Sequence, residues 1–462
     1  MPQTEALVIG GGPGGYVAAI KLGQLGIQTT LVERDRLGGI CVNVGCIPSK
    51  ALIRLARLKK RIEAAQALGI ETTGLRVDMT KLQAFKKRVV DRLVEGTEYL
   101  CRANKVSVVK GQARFSGPHT VDVESGRSKE TYTAKNIIIA TGSRSFEIPS
   151  LPFDGEHIIT STEALELTEI PANLVVIGGG VTGLEIGTMY AQFGSRVTVI
   201  ELLDQLLPGM DVELVRVLER ALKKIGVTSY VKAKAKAFKN GEVTAELSDG
   251  KEITVEADKV LVTVGRRPNS DQIGLASTGV AVDERGFIKV DKQQKTNVEG
   301  IYAIGDVTGP PLLAHKGSKE GIVAAEVIAG RKASADFRAI ANVVYTDPEI
   351  ATVGMGENQA RAAGYDPAVG KFPFTALGRA VLAGETDGFV KIIADRESEV
   401  VLGVHIVGAE VADMISEAAL AIEMGATLED IGFTIHPHPT LPEAMMEAAE
   451  AAKGKAIHFV RV

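Results

Sequence analysis

The chain has 462 residues, enough for about three or four domains. Its 45% hydrophobic and 24% charged residues exclude disordered, collagen-like and coiled-coil chains, and three cysteines exclude a disulfide-stapled secreted scaffold. The 53 Lys and Arg nearly balance 57 Asp and Glu, a formal net charge of −4, which argues against nucleic acid or an anionic membrane surface as main partner.

In chain order, Met1–Glu5 runs directly into the apolar strand Ala6–Ile9, so we expect no signal or transit peptide and a soluble cytoplasmic protein. Uncharged stretches such as Ala6–Ile20 stop at 15 residues, short of the roughly 18 a membrane span needs, so no span is expected. The first strand is followed by Gly10, Gly12 and Gly15 in a GxGxxG pattern and by a helical stretch, Tyr16–Leu25. A second strand, Thr29–Val32, ends in Glu33. Residues 50–63 and 80–103 have helical periodicity, with Leu82, Phe85, Val89 and Leu93 on one face. The buried strand Asn136–Ile139 ends in a turn containing Thr141 and Gly142, closing a unit near residue 150.

Adding 168 to each number reproduces the pattern: Gly178, Gly180 and Gly183 follow the strand Leu174–Ile177, and Glu201 ends Val197–Ile200. The strand Lys259–Val264, ending in Gly265, closes this second unit near residue 270. A central segment, 271–345, reads as strand-rich after Arg285 and leads to Gly305-Asp306; residues 346–462 mix strands and helices. The fold expected is α/β: two Rossmann-like dinucleotide-binding domains (1–150 and 151–270), the central segment, and a C-terminal α+β domain.

One fingerprint glycine makes the tight turn, one lets the backbone approach a pyrophosphate, and one lets helix pack on strand. The helix N-terminus holds the phosphates, and the acid ending the second strand binds a ribose diol. Two complete copies imply two bound dinucleotides. Glu201 repels a 2′-phosphate and no Lys or Arg follows it before Arg216, so the second site prefers NAD over NADP. At Glu33 the fingerprint alone does not choose between FAD and NAD.

Cys41 and Cys46 lie in the glycine-rich string Gly38–Lys50, while Cys101 sits alone on a helix as a small core residue. A zinc site would need further ligands at usual spacing, and two inert buried thiols would not call for such a setting. The remaining reading is a redox disulfide beside the first dinucleotide, since intracellular disulfides tend to be catalytic. Near the C-terminus, Thr440-x-x-Glu443 has capping-box spacing. The same stretch, with His438 between prolines, also suits a general base oriented by a carboxylate. His436 reads as structural.

The string Gly38–Lys50 and the duplicated fold resemble the pyridine nucleotide–disulfide oxidoreductases over essentially the whole chain. The resemblance implies FAD at the first site, with Asp306 on its ribityl chain, Thr141, Gly142 and Ala314 beside it, and Lys50 near flavin N5. It implies NAD at the second site, beside Gly265, with Glu185 as the acid paired with Lys50; a charge near a helix N-terminus is the plainer reading of Glu185. His438 and Glu443 match the family's base and orienting acid, which reach the Cys41–Cys46 disulfide of the other subunit, hence a homodimer joined through the C-terminal domain. Glu201, Val181 and the paired histidines imply the branch that oxidises dihydrolipoamide with NAD. Partners would be lipoyl-bearing proteins of 2-oxoacid dehydrogenase or glycine cleavage complexes. The alternative within the family is an NAD(P)H-dependent reductase of another disulfide. A non-catalytic docking flavoprotein fits poorly with the intact Cys41, Cys46, His438 and Glu443. No metal is expected.

Overall fold

The computed structural model describes residues 2–460. Strand β1 (Gln3–Ile9) lies between β2 (Thr29–Glu33) and β3 (Ser128–Ile139), parallel to both, with Ile9 opposite Val32 and Ile139. Ala6–Ile9 are buried, as expected for a parallel strand covered on both faces. Helix α1 (Pro13–Gln24) connects β1 to β2, with Pro13 at its first position, where the missing N–H costs nothing. The sheet extends through 107–110 beyond β2 and through the antiparallel strands 120–125 and 112–117 beyond β3. Strand Ile301–Ala303 of the central segment also lies parallel to β3, so residues far along the chain complete the first sheet.

The second unit repeats this plan. Strand β4 (Asn173–Ile177) lies between β5 (Arg196–Ile200) and β6 (Lys259–Val262), with Ile177 opposite Ile200 and Val262. Helix α5 (Val181–Phe193) connects β4 to β5. The pair Ile177–Ile200 is Ile9–Val32 advanced by 168, so the repeat holds at the level of strand register.

The first unit alone carries the inserted helices α2 (Gly39–Asn43), α3 (Cys46–Ala64) and α4 (Met79–Ala103). The stretch Gly39–Leu68 contains an 18-residue window apolar enough for a membrane span by length and composition, unlike the sequence expectation. Its apolar residues Leu52, Ile53 and Ala56 instead join a core with Leu184 and Met189 of α5. Each such buried aliphatic side chain contributes about 1.5–3 kcal/mol. On α4 the expected face holds only in part: Leu82, Phe85 and Val89 are half-buried, Leu82 against the same core, while Leu93 is 41% exposed and the buried stripe is Met79, Lys86, Val90, Val94, Thr97 and Cys101. Lys86 hid the true stripe. Its Nζ reaches the Leu165 carbonyl at 2.8 Å and Glu166 at 2.5 Å while its methylenes pack.

The central segment departs from expectation too. Between 280 and 300 there are turns and isolated bridges rather than strands. Asp283 accepts from the N–H groups of Arg285 and Phe287, and Asp291 from those of Gln293 and Lys295. Such side chains compete with a ladder for backbone donors. The C-terminal part is a five-stranded antiparallel sheet in the order 342–344, 349–354, 401–408, 389–395, 367–373. Helix α6 (Glu443–Ala452) buries Ala444, Met445, Ala448 and Ala449 in one core with Val353, Val404 and Ile406 of this sheet.

Candidate active site

The two glycine turns are built alike. The Glu33 carboxylate accepts from the N–H groups of Gly11 (2.6 Å) and Asp35 (2.8 Å). Glu201 accepts from Gly179 (2.6 Å) and Leu203 (2.7 Å), the same partners advanced by 168. Each acid is thereby locked at the strand end beside its turn. Gly10 and Gly178 adopt φ +102° and +101°, a region that L side chains rarely enter. A Cβ on Gly15 or Gly183 would overlap the carbonyl oxygen of Gly10 or Gly178, so these glycines set the helix–strand approach. Gly12 and Gly180 differ: a Cβ there would meet nothing within 4 Å. Both are helix N-caps without side-chain caps, leaving free N–H donors facing open space, as an anion site requires.

Other residues expected around the first cradle cluster nearby. Thr141 Oγ1 is buried without a hydrogen-bond partner in the protein, while the Thr141 carbonyl accepts from Asn269 Nδ2 at 2.9 Å. Gly142, at φ +68°, turns the chain toward Ser143, whose hydroxyl donates to Asp306 at 2.5 Å. Ala314 opens the helix Ala314–Ile328, again without a side-chain cap. An orphaned buried hydroxyl, two uncapped helix starts and an acid at Asp306 fit a large phosphate- and hydroxyl-bearing cofactor such as FAD. Gly265, at φ +133°, precedes Arg266, which the motifs had not marked. Arg266 donates to Ser143 Oγ at 2.6 Å and lies 4.0 Å from Asp306.

Cys41 on α2 and Cys46 at the first position of α3 are both free thiols, and Cys101 is a buried one on α4. Cys46 is lowered to about 7, first by a hydrogen bond from the Cys41 thiol; burial and Glu185 oppose, and Lys50 assists. The Cys41 thiol is pushed up, chiefly by its hydrogen bond to Cys46 and by burial. The proton shared by the pair thus resides on Cys41 and the negative charge on Cys46, at a helix N-terminus that favours it. One turn along α3, Lys50 Nζ pairs with Glu185 Oε2 at 2.6 Å. Glu185, buried at 4% exposure, accepts from the Tyr345 N–H at 2.9 Å through its other oxygen. It is therefore a held partner of Lys50 rather than a free charge near a helix start.

The His438 side chain is 78% exposed. Its Nδ1 is 2.7 Å from Glu443 Oε2, and Glu443 Oε1 accepts from the Thr440 N–H at 2.5 Å. Burial pushes the Glu443 carboxyl up, but these hydrogen bonds outweigh it and hold the carboxyl below its ordinary range. An ionised Glu443 can only accept, so Nδ1 carries the proton and Nε2 is left free as a base. The capping-box reading fails: Pro442 is the N-cap, and the Thr440 hydroxyl donates to Pro437 O at 2.6 Å. His436 is bound by Glu417 (2.8 Å) and the Thr434 carbonyl (2.8 Å), in keeping with a structural residue. Within the described residues of one chain, His438 makes no hydrogen bond to either redox cysteine.

The family model described as pyridine nucleotide-disulphide oxidoreductase matches residues 4–321, and that family's dimerisation domain matches 340–449. A dihydrolipoyl dehydrogenase of Geobacillus stearothermophilus is 49% identical over 99% of this chain and 98% of the relative. One of Bacillus subtilis is 50% identical over 99% and 98%. Among solved structures, LpdA from Mycobacterium tuberculosis superposes with a TM-score of 0.90 at 29% identity, covering 96% of this chain and 99% of that one. The HOCl-induced flavoprotein disulfide reductase RclA from Escherichia coli does so at 0.85 and 28% identity, covering 96% and 99%.

Proposed function

The chain belongs to the pyridine nucleotide–disulphide oxidoreductase family, and from that premise we propose that it oxidises protein-bound dihydrolipoyl groups to lipoyl groups with NAD+. It is a FAD-containing homodimer joined through its C-terminal domain. The observation that carries the reading is the Cys41–Cys46 pair on α2 and α3, with Lys50 one turn along α3 bridged to Glu185 of the second dinucleotide unit.

In the first half of the reaction His438 Nε2 takes a proton from one thiol of the substrate. The resulting thiolate attacks Cys41 Sγ in the oxidised pair, and Cys46 leaves as a thiolate, stabilised by its raised acidity and by Lys50. The second substrate thiol then attacks the lipoyl sulfur of the mixed disulfide, closing the lipoyl ring; Cys41 leaves and takes up that thiol's proton, while His438 holds the first. The first cradle would hold FAD, which would supply two-electron transfer between this dithiol and NAD+. Gly10, Gly12, Gly15, Glu33, Thr141, Gly142, Asp306 and Ala314 hold the first dinucleotide. Gly178, Gly180, Gly183, Glu201 and Gly265 hold the second. His438 is exposed and makes no hydrogen bond to its own dithiol, which supports delivery to the dithiol of the partner subunit.

The four segments 1–150, 151–270, 271–345 and 346–462 are assigned to FAD binding, NAD binding, completion of the FAD side, and the subunit interface. Lipoyl-bearing subunits of 2-oxoacid dehydrogenase or glycine cleavage complexes are the proposed partners. A cytoplasmic location suits a disulfide that is catalytic rather than structural. The likeness to RclA favours one second reading, reduction of another disulfide with NADH; identities of 49–50% to dihydrolipoyl dehydrogenases outweigh it. Steady-state assays with dihydrolipoamide decide between them. Rapid NADH formation with NAD+, and at least tenfold slower turnover with NADP+, is expected. Turnover only with NADH and a different disulfide would favour the second reading.

A further inference from the structure

Tyr345 lies between the strands Asn342–Val344 and Glu349–Gly354, where the C-terminal sheet begins. It touches both members of the ion pair beside the dithiol. Its N–H donates to Glu185, and its ring lies 4.6 Å from Lys50 Nζ. The loop that carries it is itself pinned from two sides. Arg57 of α3 donates to the carbonyls of Tyr345 (3.3 Å) and Thr346 (2.8 Å) and pairs with Glu349 at 2.5 Å. Asp347 accepts from Lys60 of α3 (2.6 Å) and Gln192 of α5 (2.7 Å).

We propose that Tyr345 is a positioning residue of the redox centre: its aromatic face fixes the Lys50 ammonium where that charge favours the Cys46 thiolate. This rests on the assignment of Cys41 and Cys46 as the redox pair and adds a residue that no motif marks. The face of an aromatic ring attracts an ammonium through its quadrupole; Glu185 holds the Lys50 ammonium at one contact, and the flexible four-carbon stem can turn about that contact unless the ring fixes its approach. Four ionisable groups face Cys46: Cys41 from α2, Lys50 from α3 itself, Glu185 from α5 and Arg266 beyond β6. Glu185 opposes the thiolate and is held in place by a backbone N–H that no side-chain change at 345 removes. A Lys50 released toward solvent therefore leaves the Glu185 charge less compensated, and the balance at Cys46 tips toward the thiol.

The test is a pH titration of ultraviolet thiolate absorbance in the FAD-loaded Cys41→Ser protein, read as a difference against the Cys41→Ser/Cys46→Ser double variant. Cys101, pushed up to about 11 by burial, titrates separately. Tyr345→Phe keeps the face and should leave the Cys46 midpoint unchanged. Tyr345→Leu should raise it by about half a pH unit, an ionisation constant about threefold smaller. A ring-fluorinated phenylalanine at 345 keeps the shape but not the negative face and should behave like Leu, which covers the case of a leucine variant that folds poorly. In a Lys50→Met background neither change should move the midpoint further. Equal midpoints for Phe, Leu and the fluorinated ring, or a shift that persists without Lys50, would overturn the proposal. If reduction by dihydrolipoamide frees no pair of thiols at Cys41 and Cys46 in the protein with Tyr345 intact, the assignment of the redox pair itself fails instead.

Discussion

In the proposed mechanism Cys46 and His438 divide the thiol chemistry between them. The Cys46 thiolate should be present above pH about 7 and lost as the pH falls through that value, because the folded state makes this thiol a stronger acid. Electron transfer from the dihydrolipoamide-reduced protein to NAD+ should therefore slow below pH 7, which stopped-flow measurements across pH 5.5–8.5 would read, on the order of tenfold per unit once the thiol dominates. His438→Gln removes the base but leaves both dinucleotide cradles whole. It should lower dihydrolipoamide turnover by about 10²–10⁴-fold while NADH still reduces the flavin at nearly the normal rate. Equal loss of both half-reactions would remove His438 from the thiol chemistry.

At the scale of elements, the two glycine turns carry their meaning locally, which is why they could be read from the sequence. Gly10 needs its positive φ, and Gly15 needs its missing Cβ, whatever the rest of the chain does. The same turns allow a contrast. Gly15→Ala pushes α1 off β1 and should cost about 1–3 kcal/mol in thermal or urea unfolding. Gly12→Ala meets no protein atom, so unfolding of the flavin-free protein should change by less than about 0.5 kcal/mol. FAD retention on gel filtration should nevertheless fall. A Gly12→Ala protein that keeps its flavin normally would remove the pyrophosphate from that cradle. Other features were illegible because tertiary partners decide them. Lys86 lies in the buried stripe of α4 only because Leu165 and Glu166 receive its ammonium. Tyr345 and Arg266 join the site through contacts to residues more than 100 positions away.

Across the whole molecule, the second dinucleotide unit is clasped to the C-terminal sheet by buried charge. Lys391 Nζ reaches Asp211 (2.7 Å), Glu213 (2.6 Å) and Glu357 (3.0 Å). Burial raises the Asp211 carboxyl, but hydrogen bonds from His405 and Lys391 outweigh it and hold it well below the ordinary carboxylate range. Its stabilising share is thus present at neutral pH and lost only as pH falls through that depressed value. Lys391→Met leaves three carboxylates without their common cation and should lower stability by about 3–5 kcal/mol, visible as a lower midpoint in chemical unfolding. An unchanged midpoint would show the clasp to be energetically neutral. The catalytic histidine belongs to this same C-terminal part, so its role depends on how two chains assemble. No spacing within one chain reveals that, and His438 was placed from its motif alone.

The central claim is an electron path from dihydrolipoyl thiols through Cys41, Cys46 and FAD to NAD+. It is tested most directly by mixing the purified protein anaerobically with dihydrolipoamide, following the visible flavin spectrum, and then adding NAD+. The account predicts that the oxidised flavin spectrum changes on adding dihydrolipoamide and recovers with formation of one NADH per flavin, on the order of one two-electron equivalent. A flavin that dihydrolipoamide leaves untouched, in protein whose flavin NADH readily reduces, would contradict it.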